Sequence, residues 1–234
     1  PLAKQIWQDV WSVSGATPEN CLYTFVELFI FKYLSDLGII EKNDVGIDVT
    51  FQNVLSQGQN YAFKLYTRQV RDYLKRIFPD DGTGTTIING TVLSDSVDGH
   101  DKVFYKILQR FEAFGPLKNI DPSFKSKLFE SFLKESISKK NWGQFFTPRK
   151  VVKAIVNMSG IESLPDGAVV CDPFCGVGGF ILEPLLNKRK NDFYIEGNFI
   201  KQKLRYLGYD KGFDKEEQKT IILAKANMLI FLSD

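Results

Sequence analysis

The stretch Val169–Phe180, VVCDPFCGVGGF, has the residue types of a ligand-binding turn. A short apolar run ends in Asp172, and Gly176, Gly178 and Gly179 follow before the next apolar run. Glycines allow a tight turn and a close approach of backbone to ligand, and the N-terminus of a following helix offers free N–H groups. The pattern predicts a nucleotide-like ligand at the carboxyl end of a strand in an α/β fold.

The plain alternative is that these glycines only make a tight turn between a strand and a helix. The turn also departs from two familiar patterns. The dinucleotide fingerprint G-x-G-x-x-G needs a glycine where Ile181 stands, and the Gly-Lys-Ser/Thr of a P-loop is absent. A nicotinamide-dependent oxidoreductase is therefore disfavoured as a function.

A second acid, Asp210, lies in Tyr206–Gly212, YLGYDKG, and is predicted to end the second strand, because the apolar letters of the strand stop there. A carboxylate there can accept hydrogen bonds from both hydroxyls of a ribose. Asp214 competes for this role, because Gly-Phe-Asp repeats the Gly-Tyr-Asp pattern. A solvated carboxylate at a strand end is the plain alternative. Asp210 comes 31 residues after Gly179, whereas about 20 residues is usual for such acids.

Elements of an α/β sheet are predicted around these residues. Strand, glycine turn, helix, strand and helix in succession are the opening of a parallel sheet. Thr147 is predicted to cap the first helix, with Pro148 at its first position. The predicted elements are a helix at Arg149–Ser159, a strand at Ala168–Cys171, a helix from Phe180, a strand at Leu204–Tyr209 and a helix at Lys215–Leu232.

The preceding region predicts a helical domain, because its apolar residues recur at helical spacing. The predicted helices are Thr17–Gly38 with Thr17 as cap, Asn60–Phe78, Asp101–Phe114 and Pro122–Ser138. Asp80–Gly99 is predicted to be a long loop, with a short strand or hairpin around Thr85–Leu93. We therefore expect an α/β chain of two domains: an all-helical N-terminal domain, 1–138, and the start of a Rossmann-like sheet, 139–234.

Composition excludes several classes of protein. The 234 residues carry a net charge of +2, which is too small for a protein that coats nucleic acid by charge alone. Three cysteines and one histidine favour neither a disulfide framework nor zinc, so we expect no metal and a reducing, cytoplasmic compartment. No apolar run reaches the ~18 residues of a membrane span, and no membrane partner is expected.

Two motifs, found one after the other along the chain, resemble those of a known protein family. Gly143–Arg149, GQFFTPR, followed by Asp172–Phe180, DPFCGVGGF, resembles motifs X and I of gamma-class N6-adenine DNA methyltransferases. The likeness is greatest to modification subunits of type I restriction systems and to fused restriction–modification enzymes. Thr220–Ile230 is similar to the helix after the family's motif II, and Glu19–Asp36 resembles the subunits' helical domain more loosely.

The resemblance implies S-adenosylmethionine as cofactor. It implies that Asp210 holds the ribose. It implies a wall beside the methionine made of Gln144, Phe145, Phe146, Thr147, Pro148 and Arg149. It implies a cradle for the methionine end made of Asp172, Gly176, Val177, Gly178 and Gly179.

The family's catalytic motif, Asn/Asp-Pro-Pro-Tyr/Phe, has no counterpart, because no Pro-Pro occurs in the chain. We therefore expect a fragment of a site-specific DNA adenine-N6 methyltransferase of a restriction–modification system, inactive alone and without catalytic residues of its own. Expected partners are double-stranded DNA and a specificity or restriction subunit or fused domain. The alternative is a helical docking module for a specificity subunit or DNA, with the cofactor fold as scaffold.

Overall fold

The computed structural model describes residues 2–14, 18–79, 86–88, 91–119, 147–197, 199–210 and 219–232. The chain divides into two units, Pro1–Trp142 and Gly143–Asp234. The predicted boundary between 138 and 139 and the helix predicted at Pro122–Ser138 lie outside the described residues, so both stay predictions.

The described part of the first unit is helical. Its helices are α1 (Leu2–Ser14), α2 (Pro18–Asp36), α3 (Phe51–Ser56), α4 (Gln59–Leu65), α5 (Arg71–Ile77) and α6 (His100–Phe114). A π-helical segment, Tyr66–Val70, joins α4 to α5, so the helix predicted over Asn60–Phe78 contains a local widening that periodicity did not indicate. Thr17, the predicted cap of α2, lies outside the described residues.

Aromatic side chains fill the core of this unit. Phe63 stacks on Phe104 with ring centroids 4.5 Å apart, and Tyr66 packs against the same ring at 5.2 Å. The Tyr66 hydroxyl donates a hydrogen bond to Glu27 Oε1 at 2.8 Å. Burial, followed by the negative charge of Glu27, raises the pKa of Tyr66 well above its usual value, so the hydroxyl stays protonated as a donor.

The hairpin predicted around Thr85–Leu93 is not formed by the residues described there, 86–88 and 91–93. Threonine side chains bond this segment to its surroundings instead. The Thr86 hydroxyl donates to the Phe78 carbonyl, and the Val92 N–H donates to the Thr24 hydroxyl. Side-chain bonds of this kind offer the backbone an alternative to a strand ladder.

The second unit mixes helices and strands. Its elements are α7 (Arg149–Met158), β1 (Val169–Asp172), α8 (Gly179–Asn187), β2 (Phe193–Glu196), β3 (Phe199–Gln202), β4 (Arg205–Gly208) and α9 (Lys219–Leu232). Strands β1 and β4 pair in parallel, with Asp172 opposite Gly208. Strands β2 and β3 form an antiparallel hairpin, which the sequence analysis did not predict.

A small apolar core holds α7 against the sheet. Val152, Val156 and Leu204 are buried together, and the partly buried Phe180 packs against them. The predicted capping of α7 by Thr147 is wrong. Pro148 stands at the cap position with an extended ψ of 134°, and its carbonyl accepts hydrogen bonds from the Val151 and Val152 N–H groups. The helix begins at Arg149, as the predicted range has it, and ends at Met158, one residue earlier than predicted.

Among the described residues, no helix is both long enough and apolar enough to cross a lipid bilayer.

Candidate functional site

The carboxyl ends of β1 and β4 lie side by side, because the two strands are parallel neighbours. Past the last paired residues, the Tyr209 N–H donates to the Asp172 carbonyl at 2.8 Å. The Cys175 N–H then donates to the Tyr209 carbonyl at 2.7 Å. These two bonds join the segments that follow both strands, and they bring the predicted ligand residues Asp172 and Asp210 to one edge of the sheet.

The glycine turn adopts backbone conformations that few other residues reach. Gly176 has φ of 51° and Gly178 has φ of 85°. The Gly178 N–H donates to the Cys175 carbonyl at 2.7 Å and closes the turn. Helix α8 begins at Gly179 without a side-chain cap. Its first N–H groups lack partners within the helix, as suits an anion-binding helix end.

Asp210 reaches back to the turn across 34 residues. Its Oδ2 accepts a hydrogen bond from the Gly176 N–H at 2.6 Å. A carboxylate has about four lone-pair sites, so this bond leaves Asp210 able to accept further donors. The competing acid, Asp214, lies outside the described residues.

The two carboxylate oxygens of Asp172 differ, because only one of them has a hydrogen-bond partner among the described residues. Its Oδ1 accepts from the Phe174 N–H at 3.1 Å. Its Oδ2 is buried and has no hydrogen-bond partner among the described residues. A buried acceptor without a partner costs free energy, and such atoms in a native fold call for a missing donor. This oxygen therefore fits a ligand that carries an N–H or O–H group.

Cys175 lies between the two acids. Burial, followed by the charges of Asp210 and Asp172, raises the pKa of its thiol to about 11. A Cβ added to Gly208 would stand 3.1 Å from the Cys175 sulfur, so β4 passes close to the turn at this glycine. The thiol stays protonated at neutral pH, which does not suit a nucleophile. The described residues hold no group of three or more side chains placed to bind a metal.

Two helices pack against the glycine turn. A Cβ added to Gly179 would lie 3.9 Å from Val152 of α7, and one added to Gly178 would lie 3.8 Å from Ala224 of α9. Asn227 of α9 donates from Nδ2 to the Val177 carbonyl at 3.0 Å. The sequence analysis missed Asn227. An asparagine within the apolar run Ile221–Leu229 was the available signal.

The residues predicted upstream are only partly described. Gln144, Phe145 and Phe146 lie outside the described residues, whereas Thr147, Pro148 and Arg149 are exposed at the start of α7. Arg149 Nε lies 3.7 Å from Oε2 of the buried Glu183, which ties this end of α7 to α8. Whether these residues wall a ligand stays a prediction.

The second unit is a mixed helix and sheet fold, in which a parallel strand pair, a glycine turn and two acids meet at one sheet edge. Open α/β folds bind nucleotide-like ligands at an edge of this kind. Residues 123–233, a segment that contains both motifs, match the sequence model of the N-6 DNA Methylase family. The resemblance drawn from the two motifs is thereby confirmed.

Two similar proteins carry related descriptions. The type I restriction enzyme EcoEI methylase subunit of Escherichia coli is 29% identical over 93 residues, which are 40% of this chain and 16% of that protein. The crystal structure of a type I restriction-modification methyltransferase subunit from Streptococcus thermophilus has a TM-score of 0.63 at 14% identity. That match covers 98% of this chain and 56% of the other, so the chain spans only part of the length of both proteins.

Proposed function

We propose that unit Gly143–Asp234 binds S-adenosylmethionine as part of a site-specific DNA adenine-N6 methyltransferase of a restriction–modification system. The observation that carries the proposal is the meeting of Asp172, the glycine turn and Asp210 at one sheet edge. That edge lies within the segment that matches the N-6 DNA Methylase family. S-adenosylmethionine supplies a methyl group on a sulfonium sulfur.

The donor and acceptor set suits each part of this cofactor. The buried Oδ2 of Asp172 accepts from the amino group of the methionine moiety. The uncapped start of α8 faces its carboxylate, where helix-end N–H groups favour negative charge. Asp210 keeps its bond to the Gly176 N–H and accepts from the ribose hydroxyls. The resemblance of GQFFTPR to motif X supports a further role for Gln144–Arg149, as a wall beside the methionine.

The 234 residues contain no Pro-Pro, and hence no Asn/Asp-Pro-Pro-Tyr/Phe. In the related methyltransferases this motif holds the adenine that has been turned out of the duplex. We therefore propose that this chain binds the cofactor but does not methylate DNA alone. A methylation assay with tritiated S-adenosylmethionine should give no turnover, and turnover would contradict this part of the proposal.

DNA, a specificity subunit and a restriction subunit are the proposed partners, in the cytoplasm. The similarity to proteins described as subunits of type I enzymes supports them. The first unit suits the alternative role of a docking module, because it has its own aromatic core. The two roles are compatible within one assembly.

Calorimetric titration of the 234-residue chain with S-adenosylmethionine and, separately, with NAD tests the cofactor. We expect saturable binding of S-adenosylmethionine and no binding of NAD. The reason is that Ile181 stands where the dinucleotide fingerprint G-x-G-x-x-G has its last glycine. Tight binding of NAD without binding of S-adenosylmethionine would overturn the proposal in favour of an oxidoreductase.

A further inference from the structure

We infer that Asn227 is a positioning residue of the glycine turn: its side-chain amide holds the Val177 carbonyl and so keeps the turn in its ligand-binding form. The inference rests on the proposed function for its ligand. It begins from the 3.0 Å hydrogen bond between Asn227 Nδ2 and the Val177 carbonyl, which joins residues 50 positions apart.

The environment of Asn227 makes this bond costly to lose. The side chain is 6% exposed, and its neighbours on α9, Ile222, Leu223 and Ala226, are buried apolar residues. Burying an amide among apolar groups is unfavourable unless the amide is hydrogen-bonded. Packing alone would favour leucine at this position, so the asparagine indicates a need for its donor.

The orientation of the amide is determined by its partner. A carbonyl accepts only, so Nδ2 faces Val177 and Oδ1 must point elsewhere. Oδ1 is buried and has no hydrogen-bond partner among the described residues. Together with Asp172 Oδ2, it is one of two unsatisfied acceptor oxygens on the elements that hold the turn.

The bond fixes one whole peptide unit of the turn. The Val177 carbonyl is held by Asn227, and the Gly178 N–H of the same peptide is held by the Cys175 carbonyl at 2.7 Å. Without Asn227 the peptide keeps only the hydrogen bond of its N–H, and Gly178, which follows it, permits the peptide to rotate. A rotated carbonyl near the start of α8 would repel an anionic ligand group, so the turn would bind less tightly.

The test compares Asn227→Leu with Ile222→Val in the 234-residue chain. Leucine keeps the number and branching of the side-chain heavy atoms and removes the donor, whereas Ile222→Val trims a buried side chain of the same helix that makes no hydrogen bond. Hydrogen exchange of peptides covering 173–182, without ligand, should be about ten-fold faster in Asn227→Leu and unchanged in Ile222→Val. Equal protection of the turn in both variants would overturn the inference.

Calorimetry with S-adenosylmethionine gives the second readout. We expect Asn227→Leu to raise Kd about ten-fold, and Ile222→Val to leave it within about two-fold. An unchanged Kd in folded Asn227→Leu overturns the inference while the proposed function stands. Failure of the parent chain to bind overturns the proposed function, and the ligand role of Asn227 falls with it. If Asn227→Leu does not fold, Asn227→Ser, which keeps a donor, and Asn227→Ala, which lacks one, give the same comparison.

Discussion

Asp9 of the first unit and Asp172 of the second differ in how their carboxylate oxygens are satisfied. In Pro1–Trp142, Asp9 is paired with Arg110 and Lys106, and Asp36 is paired with Lys32 at 2.7 Å. In Gly143–Asp234, Asp172 keeps a buried oxygen without a partner among the described residues. Paired acids hold helices together, whereas an acceptor left open beside a glycine turn has the chemistry of a binding site.

Large apolar side chains of the two units also differ in how far they are exposed to solvent. The first unit encloses Phe63, Tyr66 and Phe104, which are almost completely buried. In the second unit Phe174 is 85% exposed and Ile195 79% exposed. Phe63, Tyr66 and Phe104 therefore contribute to the core of the first unit, whereas Phe174 and Ile195 lie at the surface of the second.

Truncation of the aromatic core should produce the largest effect. Phe104→Ala removes a ring that touches both Phe63 and Tyr66, and such changes cost about 3–5 kcal/mol of unfolding free energy. Phe174→Ala is the matched change at an exposed site and should cost less than about 0.5 kcal/mol. Urea unfolding followed by circular dichroism measures both, and similar losses would contradict the contrast between the units.

Removal of the paired acid Asp9 should give the second-largest loss of stability. Asp9→Asn should cost about 1.5–3 kcal/mol at neutral pH, because Asp9 is buried and accepts from the charged Arg110. Burial alone would raise the pKa of Asp9, but hydrogen bonds and charge from Arg110 and Lys106 outweigh burial and lower it. The contribution is therefore present above pH 3.8 and lost as the pH falls further. Urea unfolding should show the two proteins converging in acid; a constant difference would contradict this.

A glycine pair tests the crowding at the sheet edge. Gly208→Ala would place a Cβ 3.1 Å from the Cys175 sulfur and should cost about 1–3 kcal/mol of stability. Gly179→Ala meets only Val152 at 3.9 Å, in a helical backbone, and should leave stability unchanged or slightly raised. Thermal unfolding compares the two variants, and an equal loss would show that space around Cys175 is not limiting.

Thiol reactivity should show the smallest effect. Cys171 is exposed, whereas Cys175 is buried and its pKa is raised to about 11. Iodoacetamide at neutral pH should therefore label Cys171 first, since the thiolate is the reactive form and access is needed. Peptide mass spectrometry of the folded chain locates the label. Faster labelling of Cys175 would mean that the turn opens readily.

Local sequence patterns predicted most of the elements. Apolar spacing indicated α2, which extends over Pro18–Asp36, and the apolar run before Asp172 indicated β1 to within one residue. The hairpin β2–β3 was missed, although its loop at 197–198 is Gly-Asn, a dipeptide typical of two-residue hairpin loops. Gly197 indeed has φ of 61°.

Local sequence patterns could not predict contacts between residues that are distant in sequence. The bonds from Asp210 to Gly176 and from Asn227 to Val177 depend on how strands and helices pack. The two acids were predicted from their positions at strand ends, because parallel strands place their carboxyl ends together. Asn227 has no comparable rule, since asparagine in a helix is usually a surface residue.

Titration of S-adenosylmethionine into Asp172→Asn and Asp210→Asn, beside the parent, tests the central claim most directly. Asp166→Asn is the matched control, because Asp166 is an exposed acid of the same unit. We predict that the parent and Asp166→Asn bind alike, and that each site variant raises Kd by about ten-fold or more while remaining folded. Equal affinity in all four proteins, or no binding by the parent, would contradict the assignment of this sheet edge as the cofactor site.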